Sequence, residues 1–519
     1  MTKEGILKAL LERRFLTASW AKFKSLFPRA LMFAETQLAV LTLRLMAHKT
    51  PVEKDKIIFL TFRGSYDCNP KWICEEIVRR GLPYQLVWVY RKKTQTGKED
   101  YPEGMKLVRL GTYEFLHELC SARIIVDNGI SMVTQFYKKK KDQILIETWH
   151  GSLGIKKFSK DAVKDRQWIK RAFREGRMTD YIISNSDFET NEVYKVDYWK
   201  ETPIWLHGHA RNDILFETNT KRMRKIREKI ATMYNLEPGT RICMYAPTFR
   251  DDHDMSPYTI DYAGLCSALE DRFGGQWVIL ARFHYRVWSE VKGFLKNVNQ
   301  KVLVGVALVK AASVAGAANI EGIVTGEGTI SIQGAVDVRG KVSVRPLKKA
   351  EIAATVKATV NAETAEVDEA EIEARVEAAK SALAVADGEL IEVPVYKPLR
   401  VINATSYPDI QELAACTDVA ITDYSSWICE YMVTRRPGFM FATDLKSYQE
   451  KDRPFFFPLT DLPYPVAYTS EELFENIRNF DNDKCVRRTN EFLKKMGSVD
   501  DGHAAERTVD EIVKLMGEA

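Results

Sequence analysis

Residues 419–443 read VAITDYSSWICEYMVTRRPGFMFAT. An apolar run, VAIT, delivers Asp423, Tyr424, Ser425 and Ser426, and then a helical stretch, WICEYMV, leads through Arg435-Arg436-Pro437 to a second apolar run, PGFMFAT. Strand, polar turn, helix and strand in that order place the serines and their backbone N–H groups at a helix N-terminus, where unpaired donors and the helix dipole favour an anion. The bland alternative is a plain N-cap. Working outward, the same pattern recurs at RICMYAPT from Arg241, WVILARFH (277–284) and VINAT (401–405). An earlier series runs IIFLTF (57–62), YQLVWVY (84–90), RIIVDN (123–128), QILIETWH (143–150), YIISNS (181–186) and IWLHG (204–208). Continuous β-branched and aromatic runs alternating with helices imply parallel sheets covered on both faces. Two such series predict two Rossmann-like α/β domains facing a cleft, with ligands beyond the carboxyl ends of the strands.

The length of 519 residues fits this division, since a domain takes about 100–200 residues. The expected boundaries are 51–235 for the first domain and 236–301 with 396–470 for the second. Residues 471–519 read as C-terminal helices. With 45% apolar and 28% charged residues the chain is a soluble globular type, which excludes a disordered, collagen-like or polytopic membrane chain. Eight scattered cysteines without a C-x-x-C pair fit free thiols, not a zinc site or a disulfide frame.

Charge is distributed unevenly. Residues 1–50 carry nine Lys/Arg and three Glu, a net +6, so the remainder sums to 5 − 6 = −1. A basic excess confined to one end points to an anionic surface met by that end, not to a nucleic-acid groove. Apolar residues in this segment recur at helical spacing, with Pro28 as a break. Two readings stand: basic amphipathic helices lying in a bilayer interface, or a helical hairpin packed on its own domain. Ala30 to Ala47 is interrupted by Glu35 and Arg44 and is not a spanning helix, and no signal peptide is expected. Residues 302–395 contain no aromatic, Cys or His and divide into a Gly/Val part and an Ala/Glu part. They read as an inserted, low-aromatic subdomain.

Several strand ends carry chemistry. In Thr148-Trp149-His150-Gly151-Ser152 a His follows the run ILIE, positioned either as a proton acceptor or as a structural turn residue. Gly151 would let a substrate approach the backbone. In the second domain Arg282-Phe283-His284 repeats the arrangement, with Arg286 beyond it; guanidinium and imidazole together suit a phosphoanion. Thr248 and Arg250 in YAPTFRDD, and Arg211 and Asn212 in GHARND, stand at further strand ends facing the expected cleft. Asp251-Asp252 raises the question of magnesium, but adjacent side chains diverge, and no metal is expected. The run Lys138 to Lys141 reads as a solvated loop that could also attract a polyanion.

Together TWHGS (148–152), GHARNDIL (208–215), YAPTFRDD (245–252), the strand end RFH (282–284) and SYPDIQELAACTDVAITDYSSWICEYMVTRRP (406–437) resemble the CDP-glycerol glycerophosphotransferase family, which includes teichoic acid primases and polymerases with a GT-B fold. The resemblance runs from about Ile144 to Pro458, outside the insert. It implies transfer of a polyol phosphate, glycerol phosphate first, from a CDP-activated donor to a hydroxyl of a lipid-linked acceptor, without a cofactor. His150 would be the general base. His284 and Arg282 would stabilise the donor phosphates, and Ser425 and Ser426 would hold the diphosphate. Thr248, Arg250 and Asp423 would line the donor pocket, with Gly151, Ser152, Arg211 and Asn212 on the acceptor side. The basic N-terminus would then dock on the cytoplasmic face of a bacterial membrane; a homo-oligomer is compatible with all of this. Two features depart from the family: the insert, and Ser152-Leu153-Gly154 where Thr-Pro-type residues are expected. The competing readings are a GT-B glycosyltransferase using a nucleotide sugar and a non-catalytic membrane-bound scaffold.

Overall fold

The computed structural model describes residues 46, 49–62, 64–91, 101–129, 137, 139–163, 165–250, 256–284, 401–451 and 454–517, with the strand backbones at 301–311, 320–324, 331–332 and 390–398. The expected N-terminal helices lie almost wholly outside the described residues, as do Lys138, Asp251, Asp252, Arg286 and the Ala/Glu-rich stretch 348–389.

The first lobe contains β1 (Glu53–Phe59), α1 (Cys68–Arg79), β2 (Gln85–Tyr90), β3 (Lys106–Arg109), α2 (Tyr113–Ser121), β4 (Ala122–Asp127), β5 (Ile144–Glu147), α3 (Arg166–Gly176), β6 (Tyr181–Ser184), β7 (Ile204–Leu206) and α4 (Lys221–Tyr234). Its sheet has the order β3-β2-β1-β4-β5-β6-β7, parallel throughout. The order reverses between β1 and β4, and that switch opens a crevice at the carboxyl ends of the strands. Ile57, Ile58 and Phe59 at the centre are fully buried, as continuous apolar runs in a doubly covered sheet require.

The second lobe contains β8 (Arg241–Tyr245), α5 (Tyr262–Phe273) and β9 (Trp277–Ala281). After the inserted residues it resumes with β14 (Val401–Asn403), α6 (Ile410–Cys416), β15 (Val419–Thr422), α7 (Trp427–Tyr431), β16 (Gly438–Phe441), α8 (Leu445–Lys451) and β17 (Val466–Ala467). The sheet order is β14-β9-β8-β15-β16-β17, and the β9-β8, β8-β15, β15-β16 and β16-β17 pairs are parallel. Here the order reverses between β8 and β15. Both lobes are Rossmann-like, giving a GT-B-like fold.

Most strands coincide with the apolar runs. β3 and β17 do not: each is short, sits at a sheet edge and is only partly buried, so its sequence shows no long apolar signature. The C-terminal helices α9 (Ser470–Arg478), α10 (Asn482–Met496) and α11 (Ala504–Gly517) begin against α5 of the second lobe and end on α1 of the first. Asp213 accepts hydrogen bonds from the Ala504 and Ala505 N–H groups at 3.0 and 2.8 Å, capping α11 from the first lobe. All eight cysteines are free.

Residues Val291–Val401 form a separate unit. Within it β10 (Lys301–Ala311) pairs antiparallel with β11 (Ile320–Val324) and with β13 (Leu390–Pro398), and β12 (Ser331–Ile332) extends β11.

Candidate active site

The strand ends of the two lobes converge on a cavity of about 740 Å³. Phe62, Asn128, His150, Lys156 and Arg211 line it from the first lobe; Thr248, Arg282, His284, Ser425, Tyr448 and Lys451 line it from the second. The two histidines singled out in the sequence, one per lobe, therefore share one hollow.

His150 follows β5 on a turn that is tightly braced. Trp149 has φ 51°, a left-handed conformation costly for a bulky residue, by about 1–3 kcal/mol. Its N–H donates to Glu147 Oε1 at 2.7 Å. Glu147 is fully buried, and burial, with Glu175 and Asp127 alongside, holds its pKa well above the usual carboxyl range. Asn69, at the start of α1, donates to the Thr148 carbonyl at 2.9 Å. The His150 Nδ1 lies 2.6 Å from the Asn128 carbonyl, which can only accept, so Nδ1 carries the proton and the lone pair of the neutral ring sits on Nε2. Phe62 stacks on the ring at 5.6 Å.

Arg211 borders the cavity, but its donors are directed to this turn. Its side chain is 6% exposed. Nη2 donates to the His150 and Gly151 carbonyls at 2.9 and 3.2 Å, Nη1 lies 2.9 Å from Cys68 Sγ, and the guanidinium pairs with Glu430. Glu430 belongs to α7, the helix that Ser425 and Ser426 precede, so one guanidinium ties the His150 turn to the second lobe. Lys71 on α1 makes a second tie, reaching Asp409 and Glu412 at 2.7 Å each.

The other acceptor-side residues expected from sequence are framework. Ser152 is buried and accepts from Asn185 Nδ2 at 2.7 Å. Asn212 donates to Asp500 Oδ2 at 3.0 Å and accepts from Gln411. Gly151 does not line the cavity; a Cβ there would stand 2.9 Å from the Trp149 indole nitrogen, so the glycine makes room for that ring.

In the second lobe, Arg282 follows β9 and donates through Nη1 to the Ala404 and Tyr407 carbonyls at 3.0 and 2.7 Å. His284 packs against Phe249 with ring centres 5.1 Å apart. Thr248 lines the cavity, and its N–H donates to Asp423 Oδ1 at 2.7 Å. Arg250 and Asp423 stand behind the wall. Arg250 is buried, forks onto Asp444 at 2.7 and 2.8 Å, and reaches Asp423 at 2.9 Å and the Thr248 carbonyl at 2.6 Å. This pair shapes the Thr248 turn and does not reach the cavity. Ser425 lines the cavity; Ser426 holds the N-cap position of the five-residue α7 with no side-chain cap bond.

Lys156, Tyr448, Lys451, Phe62 and Asn128 were not among the expected site residues. Lys156 lies only six residues after His150 in GIKKFS, but a Lys-Lys pair in a loop looks like any solvated turn. Asn128 ended a recognised strand run, RIIVDN, and its position was the available signal. No group of three His, Cys, Asp or Glu side chains able to hold a metal occurs among the described residues.

Residues 42–310 and 394–514 match the family model described as CDP-glycerol:poly(glycerophosphate) glycerophosphotransferase. The chain is 24% identical over 477 residues to the teichoic acid poly(glycerol phosphate) polymerase of Staphylococcus epidermidis, covering 89% of this chain and 51% of that protein. It is 21% identical over 486 residues to the protein of the same name from Bacillus subtilis, covering 91% and 50%. The chain thus spans about half the length of these curated relatives. Among solved structures, the wall teichoic acid polymerase TagF superposes with a TM-score of 0.63 at 21% identity, over 95% of this chain and 99% of that one, and so shares the fold.

Proposed function

This chain belongs to the CDP-glycerol:poly(glycerophosphate) glycerophosphotransferase family, and from that premise we propose that it transfers glycerol phosphate from CDP-glycerol to a hydroxyl of a lipid-linked teichoic-acid-type acceptor. The observation that carries the reading is the convergence of His150 and His284, one from each lobe, with Arg282 and Ser425 on a single cavity.

In the proposed reaction His150 Nε2 takes the proton of the acceptor hydroxyl as its oxygen attacks the phosphorus that bears glycerol. The bond from that phosphorus to the bridging oxygen breaks, and CMP leaves with the electron pair. Arg282, His284 and the Ser425 hydroxyl stabilise the charge that develops on the departing phosphate. Such a transfer needs positioning and electrostatics, with neither a covalent intermediate nor a cofactor. The tautomer set by Asn128 supports the role of His150, because the nitrogen away from the carbonyl is the one able to accept a proton. The basic segment 1–50 supports docking on an anionic membrane surface, on the cytoplasmic side, where a lipid-linked acceptor would be reached.

The test is CMP release from CDP-glycerol in the presence of a lipid-linked acceptor analogue. His150→Ala should lower turnover by about 10²-fold or more, as loss of a general base does. Wild-type turnover by this variant would end the assignment.

A further inference from the structure

We propose that Lys156, carried by the lobe that supplies the base, crosses to the opposite lobe and binds the diphosphate of the nucleotide donor. The inference rests on the donor reading above and adds a ligand that the donor lobe does not itself contain.

The backbone fixes where this lysine can reach. Lys156 forms an antiparallel bridge with Phe455, the Lys157 N–H donates to the Pro454 carbonyl at 2.9 Å, and the Phe456 N–H donates to the Ile155 carbonyl at 2.9 Å. These contacts sew the loop after His150 onto the second lobe beyond α8. From there Lys156 Nζ lies 3.3 Å from the Tyr448 hydroxyl and 5.7 Å from the centre of that ring. Tyr448 packs on Tyr424 at 4.3 Å, and Tyr424 immediately precedes Ser425. Lys156, Tyr448 and Ser425 all line the cavity. The ammonium and the serine that begins the α7 turn thus face the same cavity, with Tyr448 between the loop and the donor turn.

Charge points the same way. A diphosphate brings about two negative charges, and the cavity is lined by Arg282 and Lys451 from the second lobe and by Lys156 from the first. A lysine serves here as a compact point charge, able to follow either phosphate group. Because it belongs to the same loop as His150, binding of the diphosphate also fixes the loop that carries the base.

The experiment is calorimetric titration of CDP-glycerol, CDP and CMP into the full chain and its Lys156→Met and Lys156→Arg variants, with melting curves of each. Loss of one charge-assisted contact should weaken CDP-glycerol and CDP by about 10–100-fold, and CMP by under about 3-fold. Lys156→Arg should restore most of the loss, and all three proteins should melt alike. Unchanged CDP-glycerol affinity in Lys156→Met overturns the inference while leaving the transfer reading in place. Equal weakening of CMP and CDP-glycerol also overturns it, since the residue would then sense charge in general and not the diphosphate. Wild-type protein that binds no CDP-glycerol removes both proposals together.

Discussion

The joint between the lobes can be tested at Arg211. Its guanidinium makes four side-chain contacts: two to the carbonyls of the His150 turn, one to Cys68 and one to Glu430. Arg211→Lys keeps the charge for Glu430 but lacks the fork, so it forfeits the two carbonyl bonds. Hydrogen bonds from a charged donor contribute about 1.5–3 kcal/mol each, so with two lost and one partner recovered by the lysine the net loss is about 1.5–3 kcal/mol. Arg211→Met goes further, leaving Glu430 buried with only the neutral Gln411 amide, and should cost about 3–5 kcal/mol. Burial already drives the Glu430 pKa upward against the pull of Arg211, so in the methionine variant this carboxyl should take up a proton. Urea unfolding gives the stability, and CMP release at saturating CDP-glycerol gives turnover. If Arg211 only braces the His150 turn, Arg211→Lys should lower kcat by about 10–100-fold with little change in donor affinity, because a displacement near 1 Å at the base costs that much. A lysine variant with wild-type kcat and stability would refute the clamp. One that lost donor affinity and kept kcat would make Arg211 a binding residue after all.

Arg250→Met should behave differently, since it leaves Asp423 and Asp444 without their cation; about 3–5 kcal/mol of stability should disappear in urea unfolding. Glu118 provides a pH test. Burial raises its carboxyl pKa, but Lys106 and Lys56, at 2.7 and 2.9 Å, outweigh that effect and hold the value at about 2. A lowered folded pKa contributes stability above the unfolded value of 4.5 that is lost as pH falls towards 2. Glu118→Gln should therefore be less stable at neutral pH, and its stability should fall less over that acid window when followed by circular dichroism. Deleting residues 1–45, which spares the buried Met46, should weaken sedimentation with anionic liposomes and leave the melting curve of the two lobes in place; unchanged sedimentation would retire the membrane-docking proposal.

What could be read in advance followed from where the chemistry sits along the chain. Strands buried on both faces must be continuously apolar, so runs such as WVILA and VAIT announced themselves, and the polar residues just after them were bound to gather at the carboxyl edges. That His150, His284, Arg282, Thr248 and Ser425 would line a common cavity was legible for that reason. The same rule overreached at Arg250, Asp423, Ser152 and Asn212. Sequence places a residue at a strand end but does not say which way its side chain turns, and in each case a partner elsewhere in the chain draws it inward: Asp444 for Arg250, Arg250 for Asp423, Asn185 for Ser152, Asp500 for Asn212. Lys156 was hidden for the converse reason. Its place at the cavity depends on bridging to Phe455, about 300 residues away, and no local pattern in GIKKFS encodes that pairing. The residues that bind across lobes are thus the ones least visible in one dimension. They are also where the two lobes become mutually dependent: the loop after His150 is sewn to the second lobe at Phe455, while the turn itself is clamped to α7 through Arg211 and Glu430. A change in the separation of the lobes must therefore move His150 relative to both anchors at once, so donor binding and base positioning are expected to rise and fall together.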